Sequence, residues 1–168
     1  HYGEGDGLLL SEDRSPNLRG ALVNGLISSL PEENLEALVR DVNSGSIDTI
    51  LTVNEDLTVL GIRKEALSKV KVIYVGTHAN ETSEVAHIVI PSLMVFEKDG
   101  SFINQSFRMQ KFKAAVPGPR GIQPDFMVLE KISAPLAGET PAAVTIDAVW
   151  ERMVAKIAQL DEGWLWRS

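Results

Sequence analysis

Between Gly100 and Pro124 the chain carries Arg108, Lys111, Lys113 and Arg120 and no Asp or Glu, although the whole sequence holds 23 acidic against 16 basic residues. Cations gathered in this way can pair with phosphate or carboxylate oxygens through charge-assisted hydrogen bonds. Three of the five phenylalanines, Phe102, Phe107 and Phe112, interleave with them. The stretch is therefore too apolar for a solvated tail and too irregular for one long helix. It reads as an anion or docking surface formed by Arg108, Lys111, Lys113 and Arg120. Other residues that can do chemistry are less well placed. Ser92 and Ser101 are the hydroxyls of a hydrolase reading, but neither stands in a Gly-x-Ser-x-Gly elbow and no histidine is placed to activate them. His78 and His87 lack a partner at metal-ligand spacing. Gly3, Gly5 and Gly7 resemble a phosphate loop only superficially, with no strand before them and no Lys-Ser/Thr after.

The bulk composition limits the rest. A chain of 168 residues fits one domain, or one domain with an appendage, and can bury a real core. Its net charge of −7 argues against nucleic-acid binding, which needs an excess of Lys and Arg. With no cysteine, disulfides, thiolate zinc sites and Cys-held iron–sulphur clusters are excluded within these residues. No apolar run is long enough to span a bilayer, and a soluble protein of a reducing compartment is expected. Because it opens on His1, the sequence is expected to be a processed protein or a fragment.

The elements that must position these residues follow from periodicity. Residues 1–15 are Gly-rich and acidic and read as an arm or loop. Ser29-Leu30-Pro31-Glu32 has the form of a capping box, and Leu35, Leu38, Val39 and Val42 continue it as a helix over about 30–43. Residues 47–53 form a β-branched strand. A second helical pattern spans Leu57, Leu60, Ala66 and Leu67. Residues 70–76 are a second strand, Asn80 caps a short helix, and Ile88-Val89-Ile90 is a third strand closed by Pro91. This alternation is the grammar of an α/β domain with a parallel, Rossmann-like βαβ core. The carboxyl ends of such strands, where ligands collect, carry Asn54, Gly76, Thr77 and Ser92. An irregular β-ribbon segment follows, then a helix started by Asp125 or by Gln123 with Pro124, and a last helix beginning near Thr145. Trp164 and Trp166 in the tail are expected to dock on this domain or a partner. The expected division is a domain over 1–138 and a C-terminal helix and tail over 139–168.

Several segments carry a resemblance. Asn17-Leu18-Arg19-Gly20-Ala21, Glu81-Thr82-Ser83-Glu84-Val85-Ala86-His87-Ile88-Val89-Ile90-Pro91, Glu97-Lys98-Asp99-Gly100-Ser101-Phe102-Ile103-Asn104, Arg108-x-Gln110 and Pro117-Gly118 occur in that order. Together they resemble the late part of the molybdopterin-dependent oxidoreductases, most nearly the large iron–sulphur subunit of NADH:quinone oxidoreductase. The resemblance implies that this is a C-terminal portion of a larger oxidoreductase subunit, with the iron–sulphur clusters held by an upstream part. It implies partners too: the remainder of its own subunit and other subunits of a respiratory complex, with a cytoplasmic location peripheral to the inner membrane. In cofactor-containing relatives the portion helps to enclose a molybdopterin guanine dinucleotide, and Asn54, Thr82, Asn104, Arg108 and Gln110 are the matching positions. In the complex I branch the same fold serves as a scaffold without that cofactor.

Two departures favour the scaffold, with no cofactor in this chain and no catalytic or metal-ligating residue. His87 stands where the family has Asp, and Ser106-Phe107 stands for a Glu-Gly pair. A glycine there permits positive φ and close approach of a ligand to the backbone. Phe107 is expected to oppose both and to be a buried ring.

Overall fold

The structure, a computed structural model, describes residues 5–6, 17–27, 31–104, 107–142 and 144–156. The expectations for the N-terminal arm apart from residues 5–6, for the cap at Ser29, for Ser106 and for Trp164 and Trp166 lie outside the described residues.

Three β-branched runs form a parallel sheet in the order β1-β2-β3, with β1 at Thr49–Val53, β2 at Lys71–Gly76 and β3 at Ile88–Pro91. Its register aligns Leu51 with Ile73 and Ile73 with Ile88. One face is covered by helices. From α2 (Pro31–Ser44), Val42 is buried with Ile50 and Val72 of the sheet and with Ala66 and Leu67 of α3 (Lys64–Leu67). The Leu35/Leu38/Val39/Val42 spacing gives α2 an apolar stripe, and Leu38 and Val39 complete that contact.

The second helical pattern is shorter than its apolar spacing implied. Only Lys64–Leu67 is helical, and Leu57 and Leu60 lie in turns. Asp56 Oδ1 accepts from Thr58 N at 3.0 Å, a side-chain turn that competes with helix, and Gly61 at φ +96° cannot continue one. Leu57 still reaches the core because the turn aims it there. The short helix α4 (Glu81–Val85) has the expected cap: Asn80 Oδ1 accepts from Ser83 N at 2.9 Å, and Ser83 Oγ accepts from Asn80 N at 2.8 Å.

The positive stretch forms an antiparallel hairpin, β4 (Gly100–Ile103) with β5 (Met109–Phe112). Strand alternation splits its side chains. Ile103 and Met109 are buried with Val23 of α1 (Leu18–Val23) and Met153 of α6 (Ile146–Lys156). Phe102 and Phe112 stack on the opposite face with centroids 5.0 Å apart. Phe112 needs Gly100 opposite it, because a Cβ there would lie 2.5 Å from its ring. Asn17 Oδ1 accepts from Ile103 N at 2.8 Å and so ties α1 to the hairpin. Helix α5 (Asp125–Leu136) starts after Pro124 and is followed by Gly138 at φ +75°.

Candidate functional site

At the carboxyl end of the sheet, β1 runs into Asn54, which takes φ +58°. Its N–H donates to Val75 O at 2.8 Å and its Oδ1 accepts from Thr77 N at 3.0 Å. Asn54 thus ties the ends of two strands together. A short asparagine side chain tolerates the left-handed conformation, which is why this residue type can serve here. Beyond it, the fully buried Thr82 Oγ1 accepts from Leu57 N at 2.8 Å and donates to Asp56 Oδ1 at 2.9 Å. Burial pushes the Asp56 carboxyl up, but hydrogen bonds from Thr58 and Thr82 outweigh it and hold the group below its ordinary range. Tyr74 is pushed up by burial, partly offset by its hydrogen bond with Asn80. Asp56 is the residue that sequence reading missed. Its signal was the Asp-x-Thr spacing of a side-chain turn.

Ser92 closes the same end of the sheet. Its N–H donates to Gly76 O at 3.0 Å, and its Oγ is buried with no hydrogen-bond partner. His78 Nδ1 lies 2.9 Å from Thr77 Oγ1, and His87 Nδ1 accepts from Val72 N at 3.4 Å. Among the described residues no group of three or more His, Asp or Glu could hold a metal ion.

The hairpin holds the other matching positions. Asn104 N donates to Arg108 O at 3.0 Å, and Asn104 Oδ1 accepts from Arg108 N at 2.9 Å. Arg108 and Gln110 are exposed. Phe107 corrects the sequence expectation twice: it adopts φ +57°, and it is not buried but 40% exposed, with the Arg19 guanidinium 5.1 Å from its ring centroid. The flanking Asn104 hydrogen bonds impose the turn, and the cation over the ring compensates part of the strain.

The four cations differ in their partners. Lys111 turns to the core side of the hairpin, where its Nζ lies 3.4 Å from the Trp150 ring centroid. Lys113 pairs with Asp99 at 2.9 Å, an acid one residue before the window, and this contact raises the lysine pKa and lowers that of Asp99. Arg108 and Arg120 are exposed, as are Lys111 and Lys113. Lys98, also just outside the window, pairs with Asp125 on α5.

The sequence profile of the molybdopterin oxidoreductase family matches residues 19–134. The chain belongs to this family. Individual relatives match in part. Over 80 residues, 47% of this chain, it is 31% identical to the F420-dependent formate dehydrogenase 2 subunit alpha of Methanococcus maripaludis, covering 12% of that protein. Over 90 residues, 51% of this chain, it is 31% identical to an NADH-quinone oxidoreductase subunit of Pseudomonas fluorescens, covering 10% of it. Over 70 residues, 42% of this chain, it is 30% identical to the mitochondrial NADH-ubiquinone oxidoreductase 78 kDa subunit of Neurospora crassa, covering 9% of it. The matched stretch is thus about a tenth of each relative. No helix among the described residues is long and apolar enough to cross a membrane.

The family's pterin dinucleotide would demand donors for its phosphates. The carboxyl end of β1 instead presents Glu55 and Asp56, and the acceptor oxygens of Asn54, Thr82 and Asn104 are engaged within the protein. Among the described residues at this end of the sheet, only the Ser92 hydroxyl is buried without a partner. Of the matching positions, the exposed Arg108 is the one that carries a positive charge toward solvent.

Proposed function

We propose that this protein is a non-catalytic structural and docking domain from the large subunit of an NADH:quinone oxidoreductase, contributing to the electron-transfer arm. The observation that carries the reading is the internal use of Asn54, Thr82 and Asn104, whose side-chain oxygens hold strand ends and turns together. The docking face is the outer side of the hairpin, where Phe102 and Phe112 stack beside Gln110 and the exposed Arg108. An aromatic centre with an arginine at its margin is the composition of an interface anchor. Partners on this reading are the remainder of the subunit and other subunits of a respiratory complex, at a cytoplasmic site peripheral to the inner membrane.

Charge reversal at Arg108 and Arg120 tests it, since both side chains are exposed and neither stands over the Trp150 ring as Lys111 does. In the full-length subunit, Arg108→Glu with Arg120→Glu is expected to reduce incorporation into the parent complex on native gels while leaving the melting temperature of the isolated domain unchanged. Undiminished assembly would overturn the docking role.

The unpartnered Ser92 Oγ favours a second reading, a cofactor-enclosing domain that binds part of a molybdopterin guanine dinucleotide with Asn54, Thr82, Asn104, Arg108 and Gln110. Denaturing the full-length subunit decides between the two. Stoichiometric pterin fluorescence or guanine nucleotide in the supernatant supports enclosure, and its absence supports the scaffold.

A further inference from the structure

Asn24-Gly25 is the one Asn-Gly step in the sequence. Asparagine before glycine is the step most open to deamidation, because glycine has no side chain to shield its backbone nitrogen. The reaction is internal. The Gly25 nitrogen bonds to Asn24 Cγ, its proton leaves with Nδ2 as ammonia, and a five-membered succinimide closes. One water then opens the ring. Cleaving the new Cγ–N bond gives aspartate, and cleaving the original C–N bond gives isoaspartate, whose main chain runs through Cβ and Cγ.

The fold holds this step at the end of α1. Asn24 is the C-cap at φ −81° and ψ 0°, and Gly25 follows at φ +70°. Gly25 N donates to Leu22 O at 3.0 Å and Leu26 N to Ala21 O at 2.9 Å, the paired bonds of a Schellman cap. Asn24 Nδ2 donates to Gly20 O at 2.8 Å. Ring closure is opposed three times over: the attacking nitrogen commits its N–H to the helix, the departing amide is anchored, and the helical ψ turns the Gly25 nitrogen away from Cγ. A helix of six residues does not hold such a cap alone. It is held by the hairpin, where Val23 packs on Ile103 and Met109 and Asn17 Oδ1 accepts from Ile103 N.

We propose that Asn24-Gly25 is a self-modification site gated by α1. The docked helix suppresses succinimide formation, and release of α1 from the hairpin permits it. The products then keep the helix off. Isoaspartate adds a backbone atom before Gly25, so Leu26 N loses its register with Ala21 O. Aspartate replaces the donor to Gly20 O with a carboxylate at the negative end of the helix. The inference goes beyond the docking reading above and does not rest on it, since the chemistry needs no partner.

The full chain, incubated at neutral pH in buffer and in guanidinium chloride, tests the gate. Peptide mass spectrometry reads the loss of ammonia and separates aspartate from isoaspartate. Asn24 is expected to convert at least about tenfold more slowly in buffer than in denaturant. Asn17→Gly keeps the left-handed backbone and removes the bond to Ile103, so it should speed conversion in buffer about threefold or more. In the converted chain the Ile103 amide should exchange its hydrogen faster. Equal rates in buffer and denaturant, or no conversion in denaturant, overturn the proposal, and that comparison does not depend on how a variant folds. Faster Ile103 exchange in Asn17→Gly with an unchanged conversion rate also overturns it, because α1 would then not be the gate.

Discussion

Thr82 Oγ1 donates to Asp56 Oδ1 at 2.9 Å and accepts from Leu57 N at 2.8 Å, so one buried hydroxyl joins α4 to the turn after β1. Thr82→Val keeps the shape and removes both bonds. It is expected to destabilise the domain by about 1–3 kcal/mol, because the Leu57 amide and Asp56 lose a buried partner. Urea denaturation measures this, and Thr82→Ser should recover most of the loss.

Acid should expose the same network. Asp56 has a folded pKa below its ordinary value of 3.8, so it binds fewer protons folded than unfolded. Its contribution to stability is therefore complete above the unfolded pKa and lost as pH falls through the depressed folded value. Asp56→Asn should flatten this part of the stability profile below about pH 4. A carboxyl NMR titration of Asp56 with a midpoint at or above its ordinary value would refute the assignment.

Phe107 should show an inverted Ala/Gly order. Its φ of +57° costs an L-residue about 1–2 kcal/mol, and the Arg19 contact returns about 0.5–1 kcal/mol. Phe107→Ala keeps the strain and loses the contact, whereas Phe107→Gly relieves the strain. The glycine variant should be the more stable of the two by about 1 kcal/mol in chemical denaturation.

Lys111 and Trp150 hold α6 to the hairpin together with the Trp150 Nε1 bond to Ser101 Oγ at 3.3 Å. Lys111→Met retains the apolar stem and removes the cation, at an expected cost of about 0.5–2 kcal/mol. The Trp150 indole N–H resonance should shift in the same variant. An unchanged resonance would show that the ammonium does not sit over the ring in solution.

Two ion pairs should differ in weight. Lys113 and Asp99 pair with the lysine side chain 71% exposed, so Lys113→Met should leave stability nearly unchanged. Lys98 and Asp125 are mostly buried, and Asp125 Oδ1 already lacks a partner. Lys98→Met should cost about 2 kcal/mol or more by leaving that carboxylate alone. Thermal melts of the two variants, compared at the same salt, check the order.

The sequence by itself determined the parallel βαβ core, the cap at Asn80, the start of α5 and the family. These are set by local rules: β-branched runs, apolar spacing, capping chemistry and ordered motifs. The turn that replaced helix over Leu57–Gly61 was legible only in part, since side-chain competition at Asp56 overrode the apolar spacing. Tertiary structure alone decided what the cations do. Lys111 and Lys113 are near neighbours in sequence, yet one meets the Trp150 ring and the other Asp99. It also decided Phe107, where the Asn104 turn and Arg19 hold a conformation that the residue alone disfavours. Such outcomes depend on groups far apart in the chain, and a charge or φ preference read locally carries no information about them.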